Sequence, residues 1–132
     1  MEKRKTRITL MWAVIIAGFA IHTLVELMPL FWNVPVAADS SGSVPCCMLA
    51  LMAALCYTLL VAGLLVSMFV AGRCGAGINL VLAAVMLLFN LIHTGELICT
   101  FDPVQLFILP MILLVSILLF ADSLMWWRAV SR

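Results

Sequence analysis

The chain has 132 residues, 67% of them hydrophobic and 10% charged, with a formal net charge of +1 and a mean hydropathy of +1.29. So little polar surface cannot cover a soluble globule of this size, which makes the chain a membrane protein by composition. Once the apolar runs are set aside almost nothing remains, so a soluble catalytic domain, a phosphate-cradling loop and a nucleic-acid-binding module are all excluded.

About 20 apolar residues cross the hydrocarbon core, and four such runs lie at roughly 8–32, 46–71, 76–100 and 103–127. The expected fold is all-α: a single transmembrane domain over residues 1–132, with four helices in an antiparallel bundle. Lys3, Arg4, Lys5 and Arg7 precede the first run. Those cations, an apolar stretch and Val36-Ala37-Ala38 superficially follow the plan of a cleavable signal peptide. The run is too long for one and contains His22 and Glu26, so it is read as a retained span. Pro29 is expected to bend or end it. The loop Asn33–Val44, with Asp39-Ser40-Ser41-Gly42-Ser43, is polar.

Pro45 suits the first turn of the second helix, where its missing N–H costs nothing. Gly72, Gly75 and Gly77 punctuate a short turn around Arg73, and Asp102-Pro103 reads as an N-cap followed by proline at the first position of the fourth helix. Pro110 falls inside that helix and is expected to kink it. Trp12, Trp126 and Trp127 are expected to mark one membrane interface and Trp32 the other. Asp122 should reach that interface or pair with an arginine. The nine methionines are scattered and read as packing.

All seven basic residues fall before the first span, at Arg73, or at Arg128 and Arg132. The positive-inside rule then places both termini and the 72–75 turn in the cytoplasm, with the first and third helices running outward through the inner membrane. The basic amino terminus could also meet anionic lipid.

Two near-repeats stand out inside the apolar runs: Ile21-His22-Thr23-Leu24-Val25-Glu26-Leu27 and Ile92-His93-Thr94-Gly95-Glu96-Leu97. They hold both histidines and two of the six carboxylates, and an ionisable group within a span is costly unless partnered, so it marks a functional site by default. Both fragments lie late in co-directional helices and so at one depth. His22 and Glu26 share a helical face, as do Asn90 and His93, with Glu96 one turn farther on. If the first and third helices are neighbours, His22, Glu26, Asn90, His93 and Glu96 converge, with Tyr57 as a fourth wall near Cys56. Thr23 and Thr94 can satisfy carbonyls of their own helices.

Three chemistries fit this cluster. Two imidazoles and two carboxylates, His22, Glu26, His93 and Glu96, could hold a transition metal such as Zn, Mn or Fe. The same groups could relay a proton or bind a polar ligand. They could also simply hold the bundle in register through interhelical hydrogen bonds. Five cysteines make no simple disulfide framework, but Cys46 or Cys47 could bridge to Cys99 on an oxidising face, and the vicinal Cys46-Cys47 pair is similar to the metal-binding pairs of mercury-uptake membrane proteins.

Ala17-Gly18-Phe19-Ala20-Ile21-His22-Thr23-Leu24, a histidine late in the third helix, and four helices in this length resemble the DoxX-like small bacterial membrane proteins. That resemblance implies an accessory role, in some members within redox or oxidative-stress complexes. His22-x-x-x-Glu26 also looks like the His-x-x-x-Glu of sterol-isomerase (EXPERA-type) bundles, which would imply moving a proton on a lipid ring. The expected function is thus a non-enzymatic membrane protein binding a proton, small ligand or metal, in the lipid bilayer with a membrane-protein partner or as a homo-oligomer. The rivals are a purely structural partner protein and an intramembrane isomerase.

A reporter fused after Arg132 is expected to be active only in the cytoplasm, and one inserted near Gly42 only outside. Cytoplasmic activity from the Gly42 insertion would overturn both the helix count and the shared depth of the two fragments.

Overall fold

A computed structural model describes residues 2–34, 45–100 and 105–132. Helix α1 spans Glu2–Leu27 and continues as a 3-10 turn over Met28–Trp32. Helix α2 spans Cys46–Phe69, with α-helical stretches Cys46–Ala53 and Leu59–Phe69 joined by a π turn over Ala54–Thr58. Helix α3 spans Gly72–Thr100, and α4 spans Leu109–Ser131 after a 3-10 turn at Gln105–Phe107. All four are long and apolar enough to cross a membrane.

Local chemistry sets the ends. The α-helical part of α1 stops two residues before Pro29, as expected, and the tighter turn closes on Asn33, whose φ of 55° is left-handed. Asn33 N–H donates to Leu30 O and Val34 N–H to Pro29 O, both at 3.1 Å, satisfying carbonyls that the helix end leaves free. At its start α1 reaches back through Lys3–Arg7, because those long side chains favour helix whether or not they lie in lipid. Pro110 does not kink α4. The helix begins at Leu109, so the proline occupies its first turn, where no N–H is missed. The Asp102-Pro103 cap, Val36–Ala38 and the segment Asp39–Ser43 lie outside the described residues.

Each helix buries a stripe spaced three and four residues apart, the pattern of helices packed at shallow angles. On α1 the stripe is Ile8, Trp12, Ile15, Phe19 and His22. On α3 it is Ala76, Asn79, Ala83, Met86 and Asn90; on α4, Leu109, Ile112, Ser116, Leu119, Ser123 and Trp126. From Ile8 onward the α1 stripe recurs on α3 seventy-one residues later, the separation of the two histidines. Helix α1 packs on α2 and α4, and α3 packs on the same two, so α1 and α3 stand across the bundle diagonal rather than side by side.

Side chains bridge that diagonal. Trp12 Nε1 donates to Asn79 Oδ1 at 2.8 Å, Asn79 Nδ2 donates to Ser123 Oγ at 2.7 Å, and Ser123 donates back to Leu119 O of its own helix. The indole of Trp12 lies against Gly63 of α2, where any Cβ would overlap its ring. Four helices thus meet at one hydrogen-bonded level. Trp12 and Trp126, expected at a membrane interface, are instead core residues, because the indole N–H of Trp12 has a partner inside the bundle. Trp32 remains exposed.

Beyond that level the cations gather on the last turns of α4. Arg7 Nη2 lies 2.9 Å from Oδ2 of buried Asp122, close enough for ion pairing though outside hydrogen-bond alignment. Arg4 Nη1 donates to Met125 O at 3.4 Å, Arg73 donates to Val130 O at 3.0 Å and to Ser131 O, and Lys5 sits over the Trp126 ring. Cations at a helix carboxyl end also complement its dipole.

Gly63→Val is expected to lower stability by about 1–3 kcal/mol through overpacking against Trp12. The change would be read in a detergent denaturation series. An unaltered transition would mean that α1 and α2 do not pack through this contact.

Candidate functional site

The two histidines meet. His22 Nε2 and His93 Nε2 are 3.2 Å apart, with ring centroids 5.2 Å apart and planes at 81°. They project from co-directional helices across the diagonal, at the end of the bundle away from the arginines. The meeting does not require the two helices to be neighbours, since each imidazole reaches inward from its stripe. His22 is buried and His93 half-buried.

Each ring's other nitrogen is also engaged. His22 Nδ1 donates to Gln105 Oε1 at 2.6 Å, and His93 Nδ1 faces Glu96 Oε2 at 3.3 Å. Glu26 Oε1 lies 3.4 Å from His22 Nε2. Since carboxylate and amide oxygens accept, a proton on each Nδ1 serves Gln105 and Glu96, and Glu26 Oε1 then competes with His93 Nε2 for any proton on His22 Nε2. A neutral imidazole then presents a bare lone pair at Nε2, and two lone pairs at 3.2 Å repel. One added proton turns the contact into an N–H···N hydrogen bond and gives the pair a positive charge, beside Glu26 and Glu96.

Aromatic rings continue the column. His93 stacks on Phe89 at a centroid distance of 5.8 Å, and Phe89 lies 6.0 Å from Phe19, which meets His22 edge-on. Together they form one wall of a cleft of about 480 Å³. The facing wall is Met48, Met52 and Cys56 of α2, one above another at four-residue spacing. From Cys46 to Ala53 no residue of α2 is buried, so this half of the helix stands off from the bundle and leaves the cleft open. The π turn at its base widens the helix by one residue and resets its phase.

Not every expected residue arrives. Asn90 is buried but turns away, donating to Ser116 Oγ of α4 at 2.6 Å. Its position on the same α1-like stripe directs it to the α3–α4 seam. Tyr57 is 70% exposed on the outside of α2, and the π turn presents its neighbour Cys56 to the cleft instead. Thr23 bonds Phe19 O of its own helix, as expected, whereas Thr94 reaches Leu109 O of α4.

Among the described residues no three His, Cys, Asp or Glu side chains are placed to hold a metal ion. His22, Glu26, His93 and Glu96 therefore do not form the expected metal shell, because the ring nitrogens face one another and their flanking acceptors. All five cysteines are free thiols, with Cys46, Cys47 and Cys99 exposed. The expected bridge is absent because the first half of α2 stands apart from the bundle. Gln105 is the participant that sequence reading missed. It lies in a short turn before α4, where only its being the one amide in an apolar approach to a helix start could have marked it.

Gln105→Leu leaves a buried imidazole N–H unmatched and is expected to cost about 1–3 kcal/mol in detergent unfolding. A neutral effect would mean that Gln105 does not hold His22. No family model, curated protein or solved structure matches this chain.

Proposed function

We propose that this chain is a multi-pass protein of the inner membrane that binds a small ligand in the cleft and couples binding to a proton shared by His22 and His93. The observation that carries this reading is the 3.2 Å approach of the two Nε2 atoms with both Nδ1 atoms already facing oxygen acceptors. Such an arrangement holds one proton between two bases, and the cleft beside it has a volume in the range of small-ligand sites, about 300–1,000 Å³. Among the described residues, Glu26 on α1, Glu96 on α3 and Cys56 on α2 are the ionisable groups that line the cleft with the pair. On α4 the ionisable groups, Asp122, Arg128 and Arg132, belong to the opposite end. Proton traffic would run from Glu96 through His93 to His22.

A structural role is favoured by a different observation, the buried 2.6 Å bond from His22 to Gln105, which ties the turn before α4 to α1. The two readings separate by experiment. Nitrogen-15 spectra of histidine-labelled protein in nanodiscs are expected to show a through-hydrogen-bond coupling between the two Nε2 atoms. Two rings with no coupling between them would sink the shared proton. In a double-mutant cycle, His22→Leu and His93→Leu are expected to be non-additive by more than about 0.5 kcal/mol. If the double variant retains the fold but loses small molecules that the native protein retains through purification, the pair is a site. If it no longer folds, the pair is structural.

A further inference from the structure

The charge around the cleft says what kind of ligand it takes. Glu26 and Glu96 both line it, with side chains 53% and 67% exposed. No Lys or Arg lies in the chain between residues 8 and 72 or between residues 74 and 127. Of the seven cations outside those stretches, Arg4, Lys5, Arg7 and Arg73 are engaged with the last turns of α4 at the opposite end, Arg128 and Arg132 stand at that helix end itself, and Lys3 lies in the first turn of α1. The two carboxylates of the cleft are therefore joined by no lysine or arginine, so with the histidines neutral their charge favours a cation, and low-dielectric walls concentrate that field.

The walls narrow the class further. Phe19 and Phe89 line the cleft beside the carboxylates, and the faces of aromatic rings attract cations, most strongly when water is excluded. Met48 and Met52 opposite are flexible and polarisable, suited to apolar groups of varied shape. Because the first half of α2 stands off from the bundle along its whole length, the opening faces sideways, where lipid would lie. A ligand entering from there must dissolve in a membrane.

We infer that the cleft binds a hydrophobic organic cation, its charge between Glu26 and Glu96 and its apolar body between the Phe19–Phe89 wall and the methionines of α2. This deepens the proposed function and rests on its reading of the cleft as a ligand site.

The test uses two probes of the same shape and opposite charge, tetraphenylphosphonium and tetraphenylborate, titrated calorimetrically into the full-length protein in nanodiscs, with empty nanodiscs as the partition control. Tetraphenylphosphonium is expected to bind saturably and tetraphenylborate not. The double variant Glu26→Gln/Glu96→Gln should weaken the cation by about tenfold or more, and Phe19→Leu should weaken it independently of those charges. Saturable binding of the borate with equal affinity would overturn the charge assignment, as would cation binding unchanged in the double variant. Absence of saturable cation binding would overturn the ligand class. In each case the histidine coupling measured by nitrogen-15 spectroscopy tells whether the shared proton survives, so the two readings fail separately.

Discussion

The hydrogen-bonded level formed by Trp12, Asn79 and Ser123 is what the rest of the bundle depends on. In lipid, one apolar helix face is as good as another, and association rests on close packing and interhelical hydrogen bonds. An indole N–H seated on an asparagine, itself bonded to a serine, has only one register that satisfies all three groups. Gly63 permits the indole to lie flat against α2. Three residues from three helices, and a missing side chain on the fourth, therefore set the phase of the whole bundle. The second asparagine–serine bond, Asn90 to Ser116, repeats the device nearer the cleft and keeps α3 and α4 aligned there. The histidines can meet because their helices are already held at one depth.

Charge is segregated along the same axis. One end holds a buried carboxylate with an arginine beside it and a ring of donors on the carbonyls of α4. The other holds two histidines, two glutamates and no cation of the lysine or arginine type. The first end is tightly packed and reads as an anchor. The second is open on one side. Stability is thus concentrated where the helices are pinned, which leaves the cleft free to change shape without loosening the core.

Much of this was legible in the sequence and some was not, for physical reasons. Four apolar runs, the turn at Pro29 and the encounter of the two His-Glu fragments follow from length, proline chemistry and equal depth. The diagonal placement of α1 and α3 does not, since periodicity names a buried face but not which helix it meets. Trp12 and Trp126 were misplaced because a tryptophan near a span end suits an interface and a core equally well until a partner for the indole is known. Asn90 shares its stripe with His93, yet its amide is taken by Ser116 across the α3–α4 seam, a partner that periodicity does not name. Tyr57 was assigned by depth alone, and depth says nothing of direction when a π turn intervenes. Gln105 lies at the start of the fourth apolar run, in a 3-10 turn rather than on a helical face, so periodicity gives it no direction.

The π turn has a consequence for how this cleft could arise and be lost. A π turn is equivalent to one residue inserted into an α-helix, so the two halves of α2 are about 100° out of phase with a continuous helix. Deleting any one residue among Ala54–Thr58 would restore regular hydrogen bonding and leave composition almost untouched. It would also swing Met48 and Met52 off the cleft while Leu60, Gly63 and Ser67 stayed in the core. The lining of the cleft is consequently encoded in the count of residues as much as in their identity, and single-codon insertion or deletion in this stretch is a shorter route to gaining or losing the site than any substitution.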